Sequence, residues 1–318
     1  MTSRIVTLID MDCFYVQVEE KLNPEVKGTP AVVVQYKPYR GGGIIAVNYE
    51  ARAKGIKRGG THGDDAKKIC PEVHIFQIPE VRGKADLTRY RDASKDVFKV
   101  LTSFSDCVER ASIDEAYIDL TDIVEKRLKD VRDSGVKLRD YLCAEKFGNT
   151  FASGCDGGIG VWLNKVLPSE ESDEDDEMID GDEASEREFS DHVRLTMGAL
   201  FVEEMRAAVF EATGFRCSAG ISHNKTLSKL GCGLNKPNKQ TIMPMDAVPQ
   251  LFSSMPISKN KRMAKTMTVG VSLGMNKNMT RGKHLSRSCP LACYSAARIG
   301  ADAYKIISKI NTAKEPDW

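Results

Sequence analysis

Leu8-Ile9-Asp10-Met11-Asp12 and Ser112-Ile113-Asp114-Glu115-Ala116-Tyr117 are the two stretches on which the reading of this chain turns. Each sets acids against an apolar run. Residues 5–12 read as a buried strand, with four apolar residues among the first five and Asp10 and Asp12 at its end. Residues 112–120 read as a second strand with acids near its start. A carboxylate inside a strand is costly to desolvate unless a cation or a hydrogen-bond donor compensates it. Three carboxylates brought together repel, and bound Mg²⁺ relieves this, because Mg²⁺ takes oxygen ligands and links carboxylates to substrate phosphates. Two such ions about 3.5–4 Å apart stabilise the attacking and leaving oxygens of a phosphoryl displacement. Neighbouring residues of a regular strand point to opposite faces, so Asp114 and Glu115 need a twist or turn to share a site. Either cluster taken alone is more simply a set of caps or surface acids at strand ends. The two together, in a basic chain, point to metal.

Outward from these clusters the pattern alternates. A helix is expected over residues 13–22, strands over 31–36 and 44–49 around Gly41, Gly42 and Gly43, short helices over 50–54 and 64–70, and a strand over 73–78. Residues 84–104 carry Leu87, Tyr90, Val97, Val100, Leu101 and Phe104 near one face, the spacing of an amphipathic helix. Met197, Leu200, Phe201, Met205, Ala208 and Ala212 mark a further helix stopped at Gly214, followed by a strand over 216–221 and a short helix carrying Lys225 and Lys229. A strand is expected over 268–273 and an amphipathic helix over 294–310. Strand, long helix and strand in succession imply a helix packed on a sheet. No internal repeat is present.

The net charge of +1 conceals an uneven distribution. Residues 170–191 hold 13 Asp/Glu against one Lys/Arg, and the remaining chain carries 45 basic and 32 acidic residues, a surplus of 13. That surplus suits a polyanion such as nucleic acid, although ordinary surface lysine accounts for it equally well. The acidic stretch has few apolar residues and reads as an extruded insertion. No run of about 18 apolar residues exists, so no membrane span is expected. The nine cysteines are scattered without a CxxC pair, which fits free thiols in a reducing compartment.

Longer motifs then carry a resemblance. Asp10-Met11-Asp12-Cys13-Phe14-Tyr15, Gly41-Gly42-Gly43-Ile44-Ile45-Ala46-Val47 and Tyr49-Glu50-Ala51-Arg52 resemble the palm and fingers of the Y-family translesion DNA polymerases. The run from Glu109 to Tyr117 is similar to the eta branch of that family. So are Cys217-Ser218-Ala219-Gly220-Ile221-Ser222-His223-Asn224-Lys225 and Gly233-Leu234-Asn235-Lys236-Pro237-Asn238. The resemblance covers about residues 3–125 and 193–257. It implies an α+β fold, with a ferredoxin-like palm over 1–13 and 82–240 interrupted by the acidic insertion at about 168–191, and small fingers over 14–81. It implies that Asp10, Asp114 and Glu115 are catalytic and, with the backbone carbonyl of Met11, hold two Mg²⁺ ions, for which Mn²⁺ can substitute. Tyr15 would be the steric gate against a ribose 2′-hydroxyl. Gln35 and Arg58 would touch the templating base and incoming nucleotide, and Tyr49, Arg52 and Lys236 would hold the triphosphate. Arginine suits phosphate as a planar fork, lysine as a point charge and tyrosine as a hydroxyl donor. The implied activity is DNA-directed DNA synthesis past damaged template bases in the nucleus, with primer–template DNA and dNTPs as partners.

Two departures qualify the resemblance. Arg58-Gly59-Gly60-Thr61-His62-Gly63-Asp64-Asp65 is one residue longer than the usual eta pattern. Beyond Pro256-Ile257, Lys259-Asn260-Lys261-Arg262-Met263 runs directly toward Thr266, where the family has its DNA-gripping thumb. Residues 255–318 hold 12 Lys/Arg and 3 Asp/Glu, and the stretch from Arg281-Gly282-Lys283-His284-Leu285-Ser286-Arg287 through Ile310 resembles the second part of a little finger domain. A truncated thumb joined to a partial little finger is therefore expected over 241–318, without ubiquitin-binding or clamp-binding motifs. A catalytically weak fragment that binds nucleotide and DNA is the alternative function. A nucleotide cyclase, which can use paired acids on a similar sheet, is a third, opposed by the finger motifs.

Overall fold

The computed structural model describes residues 3–36, 39–167 and 189–254, and the backbone of strands at 266–272 and 284–290. Most of the acidic insertion and the helix expected over 294–310 lie outside the described residues. The chain divides into two compact units, Met1–Ser253 and Ser254–Trp318.

The first unit runs β1 (Val6–Met11), α1 (Phe14–Leu22), β2 (Ala31–Gln35), β3 (Gly43–Val47), α2 (Tyr49–Ala53), α3 (Gly63–Ile69) and β4 (His74–Gln77). A small hairpin follows, β5 (Glu80–Val81) and β6 (Lys84–Ala85), then α4 (Thr88–Phe104), β7 (Val108–Arg110) and β8 (Glu115–Asp119). The remainder is α5 (Thr121–Asp133), α6 (Leu138–Tyr141), β9 (Thr150–Ala152), α7 (Gly158–Val166), α8 (Asp191–Thr213), β10 (Cys217–Ser222), α9 (Lys225–Leu234), β11 (Gln240–Ile242) and α10 (Val248–Ser254). The fold is α+β.

β1 sits inside a six-stranded sheet of order β7-β8-β1-β10-β11-β9. It is antiparallel to β8 and β10, whereas β10, β11 and β9 are parallel. A strand covered on both faces is apolar along nearly its whole length, which is why Val6, Leu8, Ile9 and Met11 are all buried. Register decides what shares a face. Ile9 stands opposite Ala116 and Ala219, and Asp10 opposite Glu115 and Ser218. Helix α8 packs on one side through Gly198, where a Cβ would lie 2.8 Å from Ile5 Cγ2. Helix α9 lies on the other side through Gly220, where a Cβ would lie 2.0 Å from the Ser228 carbonyl oxygen and 2.4 Å from the Cys232 nitrogen. Only glycine lets α9 approach β10 so closely.

A second sheet, β3-β2-β4, carries its own small core of Val32, Val34, Ile44, Val47, Ala51, Ile56, Ala66, Cys70 and Val73. In the second unit, β12 (Thr266–Ser272) pairs antiparallel with β13 (His284–Pro290).

Several expectations need correction. Helix α4 begins at Thr88, not residue 84. Gly83, at φ +73°, turns the hairpin, and Asp86 Oδ1 accepts from Thr88 N at 3.0 Å and Thr88 Oγ1 at 2.5 Å, which starts the helix there. The strand expected over 112–120 begins only at Glu115. Asp191, counted within the acidic insertion, is the first residue of α8, and Ser190 caps that helix by accepting from Val193 N. Residues 193–202 of α8 are all buried, so its first turns show no amphipathic period in the sequence. Residues 241–242, expected in a third domain, belong to β11 and pair with both β10 and β9.

Candidate active site

Asp10, Met11, Tyr15, Tyr49, Arg52, Arg58, Asp114, Glu115 and Lys236 line one cleft of about 480 Å³, together with Cys13, Phe14, Ile45, Ala46, Val47, Ser112 and Ile113. Every residue expected at the site except Gln35 is therefore in this lining. Gln35 ends β2 opposite Gly43 and does not contribute. A hollow of about 590 Å³ at the far end of β8 holds the Arg4–Asp119 ion pair and none of the expected site residues.

The acids come together through a turn. Ser112 Oγ accepts from Asp114 N at 3.2 Å and from Glu115 N at 3.1 Å, and donates to Asp114 Oδ1 at 2.6 Å. The turn delays the strand until Glu115, and the backbone carbonyl of Asp114 accepts from Met11 N at 2.9 Å. Asp114 thus escapes strand alternation and lines the same cleft as Glu115. Glu115 in turn stands directly opposite Asp10 in the β1–β8 register.

Each carboxylate has its own partner. Lys236 Nζ lies 2.7 Å from Asp10 Oδ1. Lys229 Nζ donates to both Glu115 oxygens, at 2.9 and 3.0 Å. Burial pushes the Asp10 carboxyl up to about 6; Lys236 pulls it down, while Asp114 and Glu115 add to the rise. Burial disfavours the Lys236 charge, yet Asp10, Cys232 and Asp12 together outweigh it and hold that ammonium above its ordinary range. Among the described residues, no three or more of His, Cys, Asp and Glu are gathered closely enough to hold a metal ion as they stand. The donor set still fits a hard divalent cation: three carboxylates on one cleft, one of them raised by burial and by its acidic neighbours.

Asp12, read in the sequence only as part of a motif, ties the cleft residues Tyr49 and Lys236 to Ser218 of β10 and to Asn238. It is 3% exposed. It accepts from Ser218 Oγ at 2.8 Å, Asn238 N at 2.7 Å and Tyr49 Oη at 3.4 Å, and lies 3.6 Å from Lys236 Nζ. The Arg52 guanidinium sits 4.7 Å from the centre of the Tyr49 ring, and its Nε donates to the Val47 carbonyl. Burial raises the Tyr49 phenol above its usual range, so it remains a donor. Tyr90 was legible only as a core residue of α4. Its ring meets Tyr15 edge-on, and its hydroxyl donates at 2.5 Å to buried Glu19, which Arg89 also engages at 3.0 Å. The repeat of acids two residues apart at the end of β1 was the available signal for Asp12; Tyr90 was named only on a helix face, Ser218 only within a motif and Lys229 only on a short helix, and nothing local gave any of the three a place at the site.

Residues 9–233 match the impB/mucB/samB family model. The chain is 47% identical to DNA polymerase eta of Drosophila melanogaster over 81% of its own length and 29% of that protein. It is 43% identical to DNA polymerase eta of Arabidopsis thaliana over 82% of its length and 36% of that protein. Among solved structures, DinB from Sulfolobus solfataricus aligns at a TM-score of 0.48 and 23% identity, over 77% of this chain and 50% of that one. The chain belongs to the impB/mucB/samB family, a Y-family domain. Its sheets and helices fit a palm and fingers arrangement. It spans about a third of the length of the curated relatives it matches.

Proposed function

We propose that this chain is the catalytic part of a template-directed DNA polymerase that copies past damaged bases. The observation that carries the proposal is the single cleft in which Asp10, Asp114 and Glu115 face Tyr49, Arg52, Arg58 and Lys236. In this proposal the sheet around β1, with α4, α8 and α9, is the palm over 1–13 and 82–242, which takes in the whole of β11, residues 14–81 are the fingers, and residues 243–318 are a truncated thumb joined to a partial little finger.

Asp10, Asp114, Glu115 and the Met11 carbonyl would hold two Mg²⁺ ions, which supply activation of the attacking hydroxyl and stabilisation of the leaving pyrophosphate. This chain's own cations complete the phosphate site. Arg52 offers a planar fork and Lys236 a point charge, and Tyr49 keeps its hydroxyl proton for donation. These groups favour a transition state in which charge moves to the leaving group. Tyr15, backed by Tyr90, forms the wall against a 2′-hydroxyl. Arg58 and Gln35 are assigned to the nascent base pair, Arg58 from the cleft and Gln35 from the end of β2. Primer–template DNA, damaged DNA and dNTPs are the proposed partners, and similarity to eta polymerases of an animal and a plant supports a nuclear location. Among the described residues no helix is long and apolar enough to cross a membrane.

Primer extension across a thymine dimer, with Mg²⁺ and an Asp114→Ala control, tests the assignment. Extension by the unaltered chain and its loss in the variant are expected. Equal extension by both would remove Asp114 from the chemistry. Binding of primer–template without extension by the unaltered chain would favour a binding fragment.

A further inference from the structure

Lys229 has no role in the assignment above, yet among the described residues its ammonium is the one paired with Glu115. Both Glu115 oxygens receive it, at 2.9 and 3.0 Å. The same helix holds Lys225 one turn earlier, paired with Glu109 of β7. Gly220 fixes this geometry, because it lets α9 lie directly on β10, the strand beside β1. The Lys229 side chain is 55% exposed, so it can leave its partner for solvent without opening the core. Glu115 is 21% exposed and its carboxylate needs a counter-charge. A divalent ion on Glu115 would compete with the ammonium for the same two oxygens.

We propose that Lys229 is a built-in, displaceable counter-ion that holds Glu115 before a divalent cation arrives and so sets how tightly that cation binds. The proposal rests on the reading of Asp10, Asp114 and Glu115 as metal ligands. It accounts for the absence of a gathered metal cluster among the described residues. Asp10 is held by Lys236, Asp114 by the Ser112 hydroxyl and Glu115 by Lys229. Three separate partners keep three carboxylates from repelling one another. Lys236 is set to re-pair with substrate phosphate, whereas Lys229 gives up Glu115 to the ion and swings out. It is a positioning residue: it acts through Glu115 and not on the reacting atoms.

The test is Mn²⁺ binding to the full chain, read from the electron paramagnetic resonance of free Mn²⁺, with no substrate turnover. Lys229→Met, Lys229→Arg and Lys225→Met are compared with the unaltered chain and with Asp114→Ala. Exposed ion pairs are weak, so Lys229→Met should bind Mn²⁺ only about two- to fivefold more tightly. Lys229→Arg keeps the charge and should bind no more tightly than the unaltered chain. Lys225→Met removes a lysine of the same helix whose partner is Glu109, and should leave the affinity unchanged. Unchanged or weaker binding in Lys229→Met, with its thermal melt intact, would overturn the proposal. So would an equal gain in Lys225→Met, which would make the effect one of general charge. If Asp114→Ala binds Mn²⁺ as tightly as the unaltered chain, the metal-site reading itself fails, a result separate from any effect of Lys229.

Discussion

The ring of Tyr90 meets the ring of Tyr15 edge-on, with centroids 4.4 Å apart and planes 60° apart. Tyr90 is fully buried in α4, while Tyr15 lines the cleft from α1. The proposed sugar wall therefore stands on a residue from another helix, tied down through Glu19. Tyr90→Phe keeps the ring but removes a donor from buried Glu19. It is expected to cost about 1–2 kcal/mol in urea unfolding, the penalty for a lost buried hydrogen bond. An unchanged midpoint would show that Arg89 alone satisfies Glu19.

Shortening the wall should change the choice of sugar. Tyr15→Ala is expected to raise ribonucleotide use relative to deoxyribonucleotide use by about tenfold or more, the scale of a contact worth about 1.4 kcal/mol. Single-nucleotide insertion with matched dNTP and rNTP measures the ratio. An unchanged ratio would take the gate away from Tyr15.

Asp12 holds three donors in a nearly dry position. Asp12→Ala strands the Ser218 hydroxyl and the Asn238 amide and weakens the neutralisation of Lys236. A loss of about 3–5 kcal/mol is expected, as for one partner removed from a buried charged network. Denaturant titration reads it, and a loss below about 1 kcal/mol would mean that water replaces the carboxylate.

Asp10 gives a pH signature. Its carboxyl titrates at about 6 in the folded chain against 3.8 ordinarily, so the folded state holds the proton more tightly. Stability from this group is present below about pH 4 and is lost as pH rises toward 6, by about 3 kcal/mol at most. The stability difference between the unaltered chain and Asp10→Asn should change across that window and be level on either side. A flat difference from about pH 4 to 7 would contradict the burial of this acid.

Gly220→Ala places a Cβ 2.0 Å from the Ser228 carbonyl oxygen. The helix must retreat, which overpacking puts at about 1–3 kcal/mol. Because α9 carries Lys229, Mn²⁺ affinity should shift along with the unfolding midpoint. A variant as stable as the unaltered chain would show that α9 can move freely.

Much of the site was legible in the sequence, because its motifs are local: Asp10-Met11-Asp12 and Ser112-Ile113-Asp114-Glu115 carry their chemistry in consecutive residues. The long helix to Phe104 and the stop at Gly214 followed from apolar period and breakers, and β1, expected over residues 5–12, runs over Val6–Met11. Sequence alone determined that acids punctuate two apolar strands, and that Tyr15, Tyr49, Arg52, Arg58 and Lys236 belong to the same resemblance. It also raised the requirement of a twist or turn at Asp114 and Glu115 if the two are to share a site. Only the tertiary structure decided how that turn is made, through one serine hydroxyl, and which partner each acid holds. Lys229 reaches Glu115 across 114 residues of chain, and Ser218 reaches Asp12 across 206. Those meetings depend on β1 lying between β8 and β10 in a particular register, and on two glycines that let helices settle on the sheet. Period and propensity act over a few residues, whereas strand register and close packing join residues that no local pattern relates.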